Sequence, residues 1–403
     1  MLSLGADDDL EATLHLLRSD ASAGRPITIL LAASSTNSLE AFVFDGTVQA
    51  SEVRIVGQPG SEIRLPTAGV TRRRRLQSPS GGNDGDGGQP SSGILFAVHK
   101  GAPPIIVINL SLFGRVLVDG GSGLTVTNSS MSGRDLALDE SIEPLPALSV
   151  HGSDVLLTEI EISDFAYGAI NITDGSLRLE NGAIRRCGGS SAAMFGALNV
   201  EGGSVHLVDF RVEDNGHEVV ECVGDKSKCL RGGALRLVSG VTIMEAHTSC
   251  KRNLAYEGNS IYVSPLNEGT ELAPSLEYRL PTPLGHYVQI LNRGLVAKVT
   301  TAIIDDPYPF ECAGGSYGGS DAREVQSSPR CSGRCPAGFT CPGATAIPLI
   351  CPRGKYCEAG VSVEADCPGG TFGGREGLNS TSECTPCQAG TWCAAGSKEA
   401  TPW

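Results

Sequence analysis

Apolar residues in the middle of the chain recur in pairs two positions apart, and short polar or glycine-bearing turns separate the pairs. The stretch GALNVEGGSVHLVDFRVEDN at 196–215 shows one whole unit: Leu198 and Val200, then Val205 and Leu207, then Phe210 and Val212. A spacing of two puts both side chains of a pair on one face of a strand, so each unit predicts three short strands. The same skeleton starts again at Leu148, Ile170 and Leu235. Laid over one another, the units predict columns of inward residues. These are Leu148, Ile170, Leu198 and Leu235; Val150, Ile172, Val200 and Leu237; Val155, Leu177, Val205 and Val241; and Leu157, Leu179, Leu207 and Ile243. For the third strand the columns are Ile160, Gly182, Phe210 and Ala246, then Ile162, Ile184, Val212 and Thr248. Gly152, Gly175, Gly203 and Gly240 fall at the first turn, where a positive φ suits glycine.

Successive units begin 22, 28 and 37 residues apart, so the strands keep their length while one connection grows. Three short strands per unit, stacked at such a period, predict an all-β fold: a right-handed parallel β-helix spanning 1–263. Weaker windings precede the clear ones, with Phe96, Val98, Ile105, Val107, Leu110 and Leu112 in one and Phe42, Phe44, Val53 and Ile55 in another. The first winding exposes an edge that needs covering. Asp8-Asp9-Leu10-Glu11 puts acids at a helix start, and Leu10, Leu14 and Leu17 share one helical face, which predicts a capping helix within 1–20. Residues 71–93, rich in Gly, Ser and Asp, read as a disordered insertion between windings, and 264–330 as a connecting segment.

Cysteine changes the picture at the C-terminal end, with ten of the 14 cysteines between Cys312 and Cys393. Cys335, Cys351, Cys367 and Cys387 each open a Cys-x-x-Gly unit, at spacings of 16, 16 and 20 residues. Three of these meet a second cysteine six residues on, at Cys341, Cys357 and Cys393, whereas the third unit has Gly373 there. Such density suits a small, core-poor module at 331–403 that disulfides staple in an oxidising compartment. Cys312, Cys331 and Cys384 complete the set, and Cys222 and Cys229 share one inserted loop where they can bridge locally. Spacing alone leaves the connectivity open. Cys384 and Cys387 form the one Cys-x-x-Cys pair and no histidine follows His286, so zinc is disfavoured. Cys187 and Cys250 lie two windings apart, roughly 9.6 Å at ordinary strand spacing, too far for a bond unless the turns bend.

Fifty-two glycines and 23 prolines against 5% aromatic residues agree with a turn-rich β protein. A formal charge of -14 opposes a nucleic-acid partner, which demands the opposite balance. Sequons at Asn109, Asn128, Asn171 and Asn379 fit an extracellular or cell-surface location, with glycosylation of those asparagines. No run is long and apolar enough to span a bilayer, and the opening MLSLGADDDLEATLHLLRSD lacks a signal-peptide pattern. The expectation is therefore a longer parent chain, with its leader upstream, further repeats past GSKEATPW and room for a membrane anchor.

The Gly-Gly-Ala-Leu at 232–235 and the Phe-x-x-x-Asp-Asn at 210–215 resemble the repeats of chlamydial polymorphic outer-membrane proteins and, more loosely, the pectate-lyase-like β-helix superfamily. The cysteine units, with the lead-in YPFECAGGSYGG from Tyr308, resemble the ephrin-receptor-like cysteine-rich repeats of large surface proteins in algae and other protists. The resemblance implies a structural or adhesion role, the β-helix offering a rigid surface to polysaccharide or to a cell-surface protein. It also raises a carbohydrate-active enzyme, a lyase or hydrolase, as the alternative. The Asn-Thr-Asp, Gly-His-Gly and Arg-Ile-Lys signatures of polygalacturonases are absent.

The best candidate chemistry is Glu213, Asp214, Asn215, His217 and Glu218, which leave a strand and enter the longest insertion. Three acids and a histidine there offer acid and base groups or calcium ligands, and the competing expectation is a solvated acidic turn. Asn83, Asp84 and Asp86 resemble half of a calcium-binding glycine repeat without a tandem partner, and Asp305 and Asp306 read as a turn before Pro307. Arg72, Arg73, Arg74 and Arg75 are the one basic run and a candidate contact for sulfated or uronic polysaccharide. No cofactor is called for.

Overall fold

The computed structural model describes residues 2–4, 10–18, 24–33, 36–38, 42–64, 94–120, 123–134, 136, 145–218, 229–264, 274–279, 281–288, 302–304, 307–320 and 326–402. Arg72, Arg73, Arg74 and Arg75, the rest of the 71–93 insertion, Cys222, Asp305 and Asp306 lie outside these residues. The chain divides into two compact units. One comprises 1–243, 250–276 and 294–306; the other comprises 244–249, 277–293 and 307–403.

The first unit is a parallel β-helix whose strands run in three faces. Ile27, Val53, Ile105, Leu124, Val155, Leu177 and Val205 form one unbroken column in register across successive windings. A second column runs Phe44, Val98, Val118, Val150, Ile172 and Val200, and a third runs Ile63, Leu112, Met131, Ile162, Ile184 and Val212. Most of these side chains are fully buried. Strand hydrogen bonds fix the stack, and the inward-facing aliphatics give it one slender core. The winding formed by Arg115–Asp119 and Leu124–Ser132, not foreseen above, lies between those of Phe96 and Leu148. Its second strand reads LTVTNSSMS, and the polar residues between Val126 and Met131 hide the pair spacing.

The stack is covered at both ends of the sheet. Leu2–Leu4 is a strand that pairs with Ile29–Leu31, and the helix that follows is shorter than expected, with an α-helical part at Leu10–His15 and a 3-10 turn at Leu16–Arg18. Leu10, Leu14 and Leu17 are all buried. His15 meets Phe42 edge-on at 5.5 Å, and the Arg18 guanidinium lies over the same ring. At the far end Ala302–Ile304 pairs antiparallel with Ile261–Val263, ending the parallel run of that face.

Four of the expected columns need correction at their last member. Val241 is 41% exposed, while Thr242 and Met244 are buried and take the inward places assigned to Val241 and Ile243. The step from the last inward residue of one strand to the first of the next is five residues in every clear winding, and from Leu237 five residues lead to Thr242. Likewise Ala246 is a turn residue with φ 53°, and the third-face strand of that winding is Ser249–Lys251. Cys250 therefore occupies the inward place expected for Thr248, two positions later than aligned.

The second unit is a series of small disulfide-closed loops with little apolar core. Cys335–Cys341, Cys351–Cys357 and Cys387–Cys393 each close over six residues, and Cys312–Cys331 and Cys367–Cys384 span 19 and 17. A two-residue hairpin pairing follows from each loop, for example Lys355–Tyr356 with Ala365–Asp366. The units hold one another through backbone bonds in a repeating pattern. Gly315 donates to Cys341, Gly338 to Cys357, Gly354 to Gly373 and Gly370 to Cys393, all at 2.8–2.9 Å.

Candidate functional site

The acidic cluster at 213–218 is adjacent in sequence, and the fold sends its side chains to different duties. Arg211–Glu213 is a third-face strand, and Asp214 turns the chain with φ 58°. Asp164, Arg186 and Arg252 hold the same left-handed turn on neighbouring windings, so acid and base alternate along one column. Arg186 binds Asp164 at 2.7 and 3.1 Å, and Arg252 binds Asp214 at 2.7 and 3.0 Å. Glu213 lies 3.3 Å from Arg252 and 3.7 Å from Arg185. The Arg252 hydrogen bond holds the Asp214 carboxyl below the usual carboxylate range, away from the raised value a general acid needs.

One position further, Asn215 and Asn253 are buried and form an amide ladder. Asn215 Nδ2 donates to the Ile184 carbonyl and to Asn253 Oδ1, Asn215 Oδ1 accepts from the Cys187 amide, and Asn253 Nδ2 donates to the Val212 carbonyl, all at 2.9–3.1 Å. His217 Nδ1 lies 3.2 Å from the Gly188 carbonyl oxygen, and Glu218 is exposed. Glu213, Asp214 and Asn215 thus bind the windings to one another. Among the described residues no three His, Cys, Asp or Glu side chains gather where a metal ion would be held.

A groove on the β-helix lies elsewhere. Five windings bend between their second and third strands at a residue with positive φ: Asn109, Asn128, Glu159, Asn181 and Asp209. Asparagine and aspartate tolerate this conformation best among residues with a side chain, which explains all of them but Glu159. Stacked in register, the first four bends border a groove of about 610 Å³ lined by Ser61, Asn109, Asn128, Glu159, Asn181 and, from the third strands, Ser111, Ser130, Glu161, Ala183 and Arg211. That volume suits a small ligand or a short length of polymer. Polar and apolar residues share the lining, Leu110 and Ile160 among the latter, and its polar bend residues repeat once per winding, about 4.8 Å apart. Sequence reasoning missed Glu159, Asn181 and Arg211. The signal was present as a polar residue two positions after the last inward residue of the second strand, Leu179 to Asn181 and Leu207 to Asp209.

The sequon asparagines fall in three settings. Asn109 and Asn128 are exposed at the groove, where Asn128 Nδ2 donates to Asn109 Oδ1 at 2.8 Å. Asn171 faces outward from the first face inside a polar network, accepting from Asn199, which also accepts from Arg236 at 2.9 Å. Asn379 is exposed in the second unit. Of the cysteines expected to pair, all ten from Cys312 to Cys393 do so, and Cys229 is disulfide-bonded. Cys187 and Cys250 are buried thiols, and burial pushes Cys187 up to about 12.

Comparison with known proteins gives no matching family, no similar curated protein and no similar solved structure.

Proposed function

We propose that the chain is an extracellular or cell-surface structural and adhesion protein whose β-helix presents a rigid surface to polysaccharide. The observation that carries this reading is the groove, whose polar rungs repeat at one strand spacing and so match a ligand that itself repeats. The disulfide-stapled second unit requires an oxidising environment to form, which supports a location outside the cytosol. The resemblances to chlamydial polymorphic outer-membrane repeats and to ephrin-receptor-like cysteine repeats favour the same role, with N-glycans on Asn171 or Asn379, since a glycan on Asn109 or Asn128 would fill the groove. The lyase or hydrolase alternative draws no support from Glu213 and Asp214, whose carboxylates are paired with arginines.

The test is a glycan array probed with the full chain, produced by secretion in oxidised form, alongside a variant with Arg72, Arg73, Arg74 and Arg75 changed to alanine. We expect retention on a class of acidic polysaccharides and no shortening of the polymer over time. Failure to bind any glycan, or depolymerisation of the bound one, overturns the reading.

A further inference from the structure

The two halves of the groove are furnished differently. Toward Ser61 the polar side chains satisfy one another: Asn128 donates to Asn109, the Ser130 and Ser111 hydroxyls lie 3.3 Å apart, and the Ser61 hydroxyl donates to the Ala32 and Gln58 carbonyls. A ligand there has to displace bonds already made. Toward the other end Glu159, Asn181 and Arg211 are exposed, and none of the three side chains has a hydrogen bond or ion pair among the described residues.

Glu161, Ala183 and Arg211 stand in register on three successive third-face strands, so the buried Ala183 separates two exposed side chains of opposite charge. The two charged residues are two strand spacings apart at the backbone, roughly 9–10 Å. Glu161 itself is held only loosely, with Arg185 at 3.7 Å.

We propose that this half of the groove binds one sugar residue carrying a single anionic substituent, a carboxylate or a sulfate, within a sparsely charged polysaccharide. The proposal rests on the polysaccharide reading above and deepens it. Arg211 takes the anion through its planar fork of donors. Glu159 and Glu161 accept from ring hydroxyls, and the Asn181 amide both donates and accepts. The same two carboxylates repel a second anion nearby, and the net charge of -14 acts in the same direction. A polymer with an acid on every sugar is therefore a poorer ligand than one with an acid on every second sugar or fewer.

The experiment measures binding of the full oxidised chain by calorimetry to four polymers: an alternating uronate–N-acetylhexosamine chain, its sulfated counterpart, a fully charged polyuronate and a neutral glucan. Arg211→Ala removes the anion contact, and Glu161→Ala removes an acceptor for the ring hydroxyls; Lys100→Ala serves as a remote control, and thermal melts confirm that each variant folds. We expect the alternating polymer or its sulfated counterpart to bind best, and Arg211→Ala and Glu161→Ala each to weaken binding by roughly tenfold or more, with Lys100→Ala unchanged. Tightest binding to the polyuronate or the neutral glucan, or unchanged affinity in both groove variants, overturns this site while leaving a polysaccharide surface elsewhere on the chain. No binding to any of the four overturns both.

Discussion

Thr242 shows how the core tolerates one polar atom and what that tolerance costs. Its side chain is 1% exposed, and its hydroxyl is buried without a hydrogen-bond partner. Replacing that hydroxyl with a methyl removes a desolvation penalty of about 1–3 kcal/mol, so Thr242→Val should raise the denaturant midpoint, while Val241→Thr, at a 41% exposed site, should leave it nearly unchanged. The pair also explains a limit of reading the sequence. Aliphatic character pointed to Val241, whereas the fixed five-residue step pointed to Thr242, and backbone geometry outranks the chemistry of one side chain. Asn215 makes the opposite case: it is buried with all its groups engaged, so Asn215→Ala strands the Cys187 amide and the Asn253 amide ladder. We expect a loss of about 2–3 kcal/mol, read by equilibrium unfolding. In sequence it was indistinguishable from its acidic neighbours, because nothing local says which residue of an Asp-Asn pair turns inward.

At the scale of the winding, the strands were legible and the joints between them were not. Pairs spaced by two announce a strand wherever one face is buried, and the columns through Val155, Leu177 and Val205 follow directly. The groove is made instead by bends, and a bend residue shows itself only by a positive φ that sequence suggests weakly. The alternating column Asp164, Arg186, Asp214, Arg252 is likewise a property of stacking, since its members lie 22, 28 and 38 residues apart. Its pH dependence follows from direction alone. Hydrogen bonds from Arg186 and Arg252 lower the Asp164 and Asp214 carboxyls below the ordinary aspartate range. A depressed folded value means that the unfolded chain binds protons first as pH falls. The contribution is therefore present above about pH 4 and is lost progressively below it. Melting temperature followed from pH 5 to pH 2 should fall less steeply in an Arg186→Gln, Arg252→Gln double variant than in the parent; parallel curves would remove the ladder from the account of acid stability.

For the chain as a whole, redox state decides more than charge. A seven-residue disulfide loop contributes on the order of 2–3 kcal/mol and longer loops slightly more, so five such bonds together rival the stability of an ordinary domain. Reduction should therefore unfold the second unit, seen as new proteolytic cleavage within 307–402, while the parallel β-helix keeps its far-ultraviolet signal. The pairing, which spacing alone left open, follows a simple rule once the bonds are seen. An opening cysteine closes on the cysteine six residues later where there is one. Cys312 and Cys367 meet Gly318 and Gly373 at that place, so they reach Cys331 and Cys384, just before the next opener. Buried Cys187 stands apart from this chemistry. Its thiol, pushed up to about 12 by burial, should resist iodoacetamide in native protein at pH 8 and react after denaturation. Above about pH 9 the unfolded chain's thiol ionises while the folded one stays protonated, so stability should decline as pH rises from there. The alternation of acid and base along the turn column also sets a rule for how such a protein changes length over generations. Excising one winding at Arg186 would bring Asp164 against Asp214, and inserting one would create a like-charged neighbour somewhere in the row. Gains and losses by twos leave the sequence of signs intact, so duplication in this region is expected to proceed by even numbers.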